Sequence, residues 1–185
     1  MILDNLLMFT GTSNGATGGI TAGATTDSPT TGTQTASNII DLGVSSGVPS
    51  SANGGGARDI GVGDDPAMKL TALVTTAFTV GTSLQLDFAG APDNGSGAAG
   101  SYTVMWTSAA IAEASLVAGA QIANIDMPRP ITGQVLPRFL RTRFITVGTH
   151  STGAIQVSLV IDRDDQPLGS GGVYSGYPAG LNVAN

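Results

Sequence analysis

The chain has 185 residues, 41% of them hydrophobic, which is enough for one domain with a real core. Only 11% are charged, and 13 acidic against 7 basic residues leave a net charge of −6, so a basic nucleic-acid-binding surface is excluded. There is no cysteine, hence no disulfide and no thiolate metal site, and no run of about 18 apolar residues to span a membrane as a helix.

In chain order, Met1–Phe9 (MILDNLLMF) is apolar but carries Asp4 and no Lys or Arg. It lacks the basic start of a secretory signal and reads as an N-terminal arm or first strand. From Thr10 to Ser37 the chain is almost all Gly, Thr, Ser, Ala and Asn. Such a stretch buries too little apolar area to offset its ordering entropy, so residues 11–36 are expected to be ordered only against a partner chain. Asn38–Leu42 reads as a short strand, and Gly43–Gly56 as a loop with a turn signal at Asn53-Gly54. Ala57–Pro66 forms a corner with Gly61, Gly63 and Pro66.

The clearest strand follows. Met68, Leu70, Ala72, Val74, Thr76 and Phe78 alternate with Lys69, Thr71, Leu73, Thr75 and Ala77. Ser83–Phe88 alternates again, with Leu84, Leu86 and Phe88 inward and Ser83, Gln85 and Asp87 outward. A loop spans Gly90–Gly100 with its tip at Asp93-Asn94-Gly95. Tyr102, Val104 and Trp106 then share a strand face. Ala109–Val117 is compatible with helix or strand, and Ala120–Met127 is a strand closed by Pro128 and Pro130. In Phe139–Val147, Leu140, Thr142 and Phe144 fall on one face, and Phe139, Arg141 and Arg143 on the other. In the last strand Ile155, Val157, Leu159 and Ile161 alternate with Gln156, Ser158 and Val160. The tail Pro167–Asn185, rich in Gly, Pro and Tyr, reads as an extended arm.

About eight short strands with Gly-rich turns and no clear helix predict an all-β jelly-roll-type sandwich, with an immunoglobulin-like sandwich as the alternative. The expected division is an arm and loop over 1–37, a sandwich core over 38–162 and a C-terminal arm over 163–185. Leu70, Val74, Leu86, Ile155, Val157 and Leu159 are the expected core.

The titratable residues form few chemical constellations. Asp59, Asp64 and Asp65 are carboxylates that suit Ca²⁺ in kind but lack EF-hand spacing; capping a turn or pairing with Arg58 accounts for them. Asp162, Asp164 and Asp165 around Arg163 read as a solvated strand end. His150 is the single histidine. It sits in a turn next to Ser151 and is expected at the surface, and no GxSxG elbow surrounds any serine. Neither an enzyme nor a cofactor is expected, and no metal. Arg138, Arg141 and Arg143 gather three of seven basic residues in one segment beside Phe139. Guanidinium forks suit carboxylates, and both a partner's and this chain's own aspartates meet that demand. Trp106, Tyr174 and Tyr177 would make a sugar-stacking platform if exposed, although alternation puts Trp106 in the core.

Six short segments occur here in the order in which they appear in capsid cement proteins of short-tailed phages with HK97-type heads. They are MILDNLLMF at 1–9, NIIDLG at 38–43, ARDIGVGDD at 57–65, LVTTAF at 73–78, LPRFLRTRF at 136–144 and YPAG at 177–180. The chain resembles that family over most of its length, with longer Gly-rich stretches at 11–36, 47–57 and 91–100. The resemblance implies a jelly roll on the outer surface of the virion, made in the host cytoplasm. Its implied partners are the major capsid protein and further copies of itself, as dimer or trimer, with no nucleic acid and no membrane. The expected contact residues are Arg138, Phe139, Arg141 and Arg143 on one strand, with Ile2, Leu3, Tyr174 and Tyr177 on terminal arms. A carbohydrate-binding sandwich, such as a receptor-binding or adhesin module, is the alternative from another class.

Overall fold

In a computed structural model, which describes residues 2–14, 19–20, 25–43, 68–128 and 137–161, the period-two patterning becomes two antiparallel sheets. The chain enters through Ile2–Met8 (β1), makes a small ladder of Ser13–Asn14 (β2) and Gly19–Ile20 (β3), and continues as Gly32–Thr35 (β4) and Ile40–Asp41 (β5). Two long strands follow, Met68–Thr79 (β6) and Ser83–Ala91 (β7). Thr103–Thr107 (β8) and Ile111–Ala112 (β9) precede a 3-10 turn at Glu113–Ser115, so the undecided stretch at 109–117 becomes a short strand and that turn. Gln121–Asp126 (β10) leads to the closing pair, Phe139–Val147 (β11) and Thr152–Ile161 (β12).

One sheet runs β1-β12-β6-β10. The other runs β4-β11-β7-β8, with β5 also on β11 and β9 also on β7. β4 with β5, and β8 with β9, act as single interrupted strands. The eight strands that result pair first with last, second with seventh, third with sixth and fourth with fifth. A long hairpin wound over on itself has this order, which is that of a jelly roll.

The core lies between the sheets and follows the alternation. Leu70, Val74, Leu86, Ile155, Val157 and Leu159 are fully buried, as expected, and Leu84, Phe88, Leu140 and Phe144 join them. Phe9, just past β1, meets Phe88 of the opposite sheet edge-on at 5.8 Å. Thr76 is exposed despite sharing a face with Val74 and Phe78. The β6–β12 register slips around Ala154 and Ile155, and the slip breaks the alternation there.

Three expectations are corrected. Within the first 37 residues, β1 and β4 are not an arm outside the sandwich, and of the two readings of the start of the chain the first strand is the one found. β1 pairs with β12, with Ile2 opposite Ile161 and Leu3 opposite Val160, and β4 pairs with β11. Nor does residues 25–36 wait for a partner chain to order it. Asp27 and Ile155 exchange both backbone hydrogen bonds at 2.9 Å. The Asp27 carboxylate accepts from the backbone N–H of Gly11 and of Ser37, at 2.9 and 2.7 Å, and from the Ser37 hydroxyl at 2.7 Å. Thr10 donates to the Thr25 carbonyl and accepts from Val157 N–H. Backbone and hydroxyl bonds replace the missing apolar area. Finally, His150 is only 1% exposed. Its ring stands edge-on to Phe78 at 5.1 Å, in a corner where the β6–β7 and β11–β12 turns meet.

Candidate functional site

The arginine segment of β11 organises the outer face of the second sheet. Strand alternation turns Leu140, Thr142 and Phe144 into the core and leaves Arg141 and Arg143 outward and half-buried, as expected, whereas Phe139 on the same face is buried, at 7% exposure. Their cross-strand neighbours on β7 are Ala91, Ala89 and Asp87, respectively. β8 supplies the far side of the face, with Thr107 opposite Asp87 and Val104 opposite Ala89.

Arg138 sits just before β11. Its guanidinium grips Asp41 with two bonds, Nε to Oδ1 at 2.8 Å and Nη2 to Oδ2 at 2.9 Å. Nη1 donates to Asp93 as well, and the charge stacks on the Phe139 ring at 4.8 Å. Gly90 lets this end close up, because a Cβ there would lie 2.6 Å from that of Pro137. The Asp93 carboxyl is held below its ordinary range, first by N–H bonds from Gly95 and Gly97 and then by Arg138. Its bonds to Asp41 push the Arg138 guanidinium further above its own ordinary value.

Arg143 donates through Nη2 to Asp87 at 2.6 Å, and the other Asp87 oxygen accepts from the Thr107 hydroxyl. The Asp87 side chain is 6% exposed and that of Arg143 27%. Asp87 is expected outward. It does face outward, but Arg143 and Thr107 enclose it, which makes this a shielded ion pair rather than a surface charge.

Arg141 differs from both. Its guanidinium carbon lies 3.7 Å from the centre of the Tyr102 ring, a close cation–π stack. Among the described residues no carboxylate pairs with it, and its Nε is buried with no hydrogen-bond partner. The Tyr102 hydroxyl is likewise buried and unpartnered, and burial raises its pKa while the charge of Arg141 works the other way. Of the three arginines, two thus satisfy this chain's own aspartates and one does not.

The other candidates divide clearly. Ile2 and Leu3 belong to the backbone ladder of β1, whereas Tyr174, Tyr177 and the acidic groups at 59–65 and 162–165 lie outside the described residues. Trp106 stands opposite Phe88 and packs half-buried against the core, so it does not offer an open stacking face. Ser151 bonds Thr79 at 2.8 Å, whereas His150 points Nε2 at the Ser83 carbonyl at 3.3 Å and leaves Nδ1 unpartnered. His150 and Ser151 thus bond different partners. Among the described residues no three His, Asp or Glu side chains gather as metal ligands. Sequence reasoning missed Tyr102 as the platform for Arg141. The two are 39 positions apart in sequence, and only the β7–β8 and β7–β11 pairings join them.

A search of curated proteins finds no match. The family model Bbp16 matches residues 24–161, from just before Asp27 to the last residue of β12, which takes in both sheets except β1. With most of its length matched, the chain belongs to the Bbp16 family.

Proposed function

We propose that this protein is a capsid cement protein. It binds the outside of a phage head as a small homo-oligomer, bridges neighbouring major capsid subunits and strengthens the shell without any chemistry. The observation that carries this reading is the LPRFLRTRF segment, one of the six family-like motifs. Its arginines organise the outer face of one sheet, with Tyr102, Val104 and Thr107 as neighbours on that face. A rigid jelly roll with a low-charge, hydroxyl-rich surface suits a clamp that is itself inert. The sugar-binding alternative loses its central aromatic, because Trp106 is packed against the core.

The reading is tested by adding the purified protein to heads of its phage assembled without it and sedimenting them through a gradient. Saturable co-sedimentation with mature heads is expected. Protein that stays at the top of the gradient at every concentration would remove the reading.

A further inference from the structure

We propose that Arg141 is the carboxylate receptor of the outer sheet face, and that its occupant is one Asp or Glu side chain of a major capsid subunit. This rests on the cement reading and narrows it to a single contact. Three guanidiniums lie along one segment, and their partners are unequal. Arg138 has two carboxylates and Arg143 has one, while Arg141 has none among the described residues. In a chain with thirteen acidic residues against seven basic ones, a cation left without a carboxylate is conspicuous.

Two buried polar groups mark the inner end of this stack. Arg141 Nε and the Tyr102 hydroxyl have no hydrogen-bond partner. Both atoms are shielded from the surface, so an arriving carboxylate meets the terminal guanidinium nitrogens of Arg141, which are not among the buried unpartnered atoms. The guanidinium is also preorganised. Stacked at 3.7 Å on Tyr102, it has already lost the rotamer freedom that a solvated arginine loses only on binding. Beneath it the β7 neighbour is Ala89, buried and too small to compete for the charge. Around it Val104 and Thr107 are exposed and uncharged. One uncompensated cation, flanked on the same face by the Arg143–Asp87 pair that neutralises itself, complements a single carboxylate, whereas a phosphate-rich polymer would call for a basic patch.

The test compares Arg141→Gln with the unmodified protein in binding titrations on purified heads at several salt concentrations. Gln156→Ala, on the outer face of the other sheet, is the control. Arg141→Gln is expected to weaken binding roughly thirtyfold, the lower end for a desolvated charge pair. It is also expected to flatten the salt dependence, which a merely structural role would not do. Arg141→Lys should recover only part of the affinity, because it restores the charge without the fork. If Arg141→Gln does not fold, Arg141→Met keeps an unbranched stem on Tyr102 and removes the charge. Binding by either neutral variant with unchanged affinity and salt slope overturns the inference while the cement reading stands. If the neutral variants also change the oligomeric state of the free protein, measured by light scattering, the carboxylate belongs to a second copy and the capsid subunit is the wrong occupant. Failure of the unmodified protein to bind removes the cement reading, and this inference with it.

Discussion

Replacing Arg143 with Ala tests the electrostatics of the outer face most sharply. Outward strand positions usually cost little stability when truncated, and from sequence alone Arg141 and Arg143 look equivalent. The structure separates them. Arg143→Ala strips the guanidinium from Asp87, whose side chain is 6% exposed, and leaves only the Thr107 hydroxyl on that carboxylate. Removing one partner of a buried pair costs about 3–5 kcal/mol; Arg143 is 27% exposed, so water reaches the pair and the expected cost falls to about 2–3 kcal/mol. Arg141→Ala gives up a cation–π stack of about 0.5–2 kcal/mol and no ion pair among the described residues; both variants remove a buried unpartnered Nε, so the lost ion pair is what separates them. Trp106, the only tryptophan, reports on unfolding in urea, and both variants can be read from their midpoints at unchanged slope. Adding Asp87→Asn to Arg143→Ala should recover part of the loss, because a neutral amide needs no counter-charge. Equal stability of the two single variants would refute the distinction between a shielded ion pair and an uncompensated cation. One practical consequence is that a joint Arg141/Arg143 alanine variant would confound a test of the proposed capsid binding with an effect on folding.

Other expectations follow from the packing. Val157→Asp places an unpaired carboxylate at a fully buried site at a cost of several kcal/mol, and a soluble variant with a normal melting temperature would show the core assignment to be wrong. A Cβ at Gly81 would lie 2.1 Å from the His150 ring, so Gly81→Ala should cost about 1–3 kcal/mol. That cost should largely vanish in a His150→Ala background, and additive losses would refute the close contact. Val80 is 79% exposed with φ of 76°, a conformation that β-branched residues avoid. Val80→Asn, which tolerates it, should raise stability by about 1 kcal/mol and the melting temperature by roughly 2–4 °C; an unchanged or lower value would argue against strain at that turn.

Much of the fold was legible because the strongest strands repeat their apolar residues with period two. Phe139–Val147 is found at its expected bounds, and every expected core residue is buried. The missed elements lack that signal. β4, with the sequence GTQT, has no apolar residue and is a strand because β11 offers it an edge. Alternation also specifies which way a side chain faces but not what covers it. Asp87 faces outward as read, yet Arg143, 56 positions away, encloses it. His150 is buried because two turns converge on it and Gly81 lacks the side chain that would exclude it, and no local pattern encodes that meeting. At the candidate site, the cluster of arginines was visible in the sequence. Which of them this chain already neutralises was not, because Asp41, Asp87 and Asp93 reach the arginines only through the folded sheet.

The central claim, that the protein holds a shell together, is tested most directly by the temperature at which purified heads release their DNA. Heads assembled without the protein should release DNA at a lower temperature than complete heads. Adding back the purified protein should restore the difference in proportion to occupancy and saturate when the sites are full. An unchanged release temperature at saturating, verified occupancy would contradict the account, because a bound protein that adds nothing to the shell is not cement.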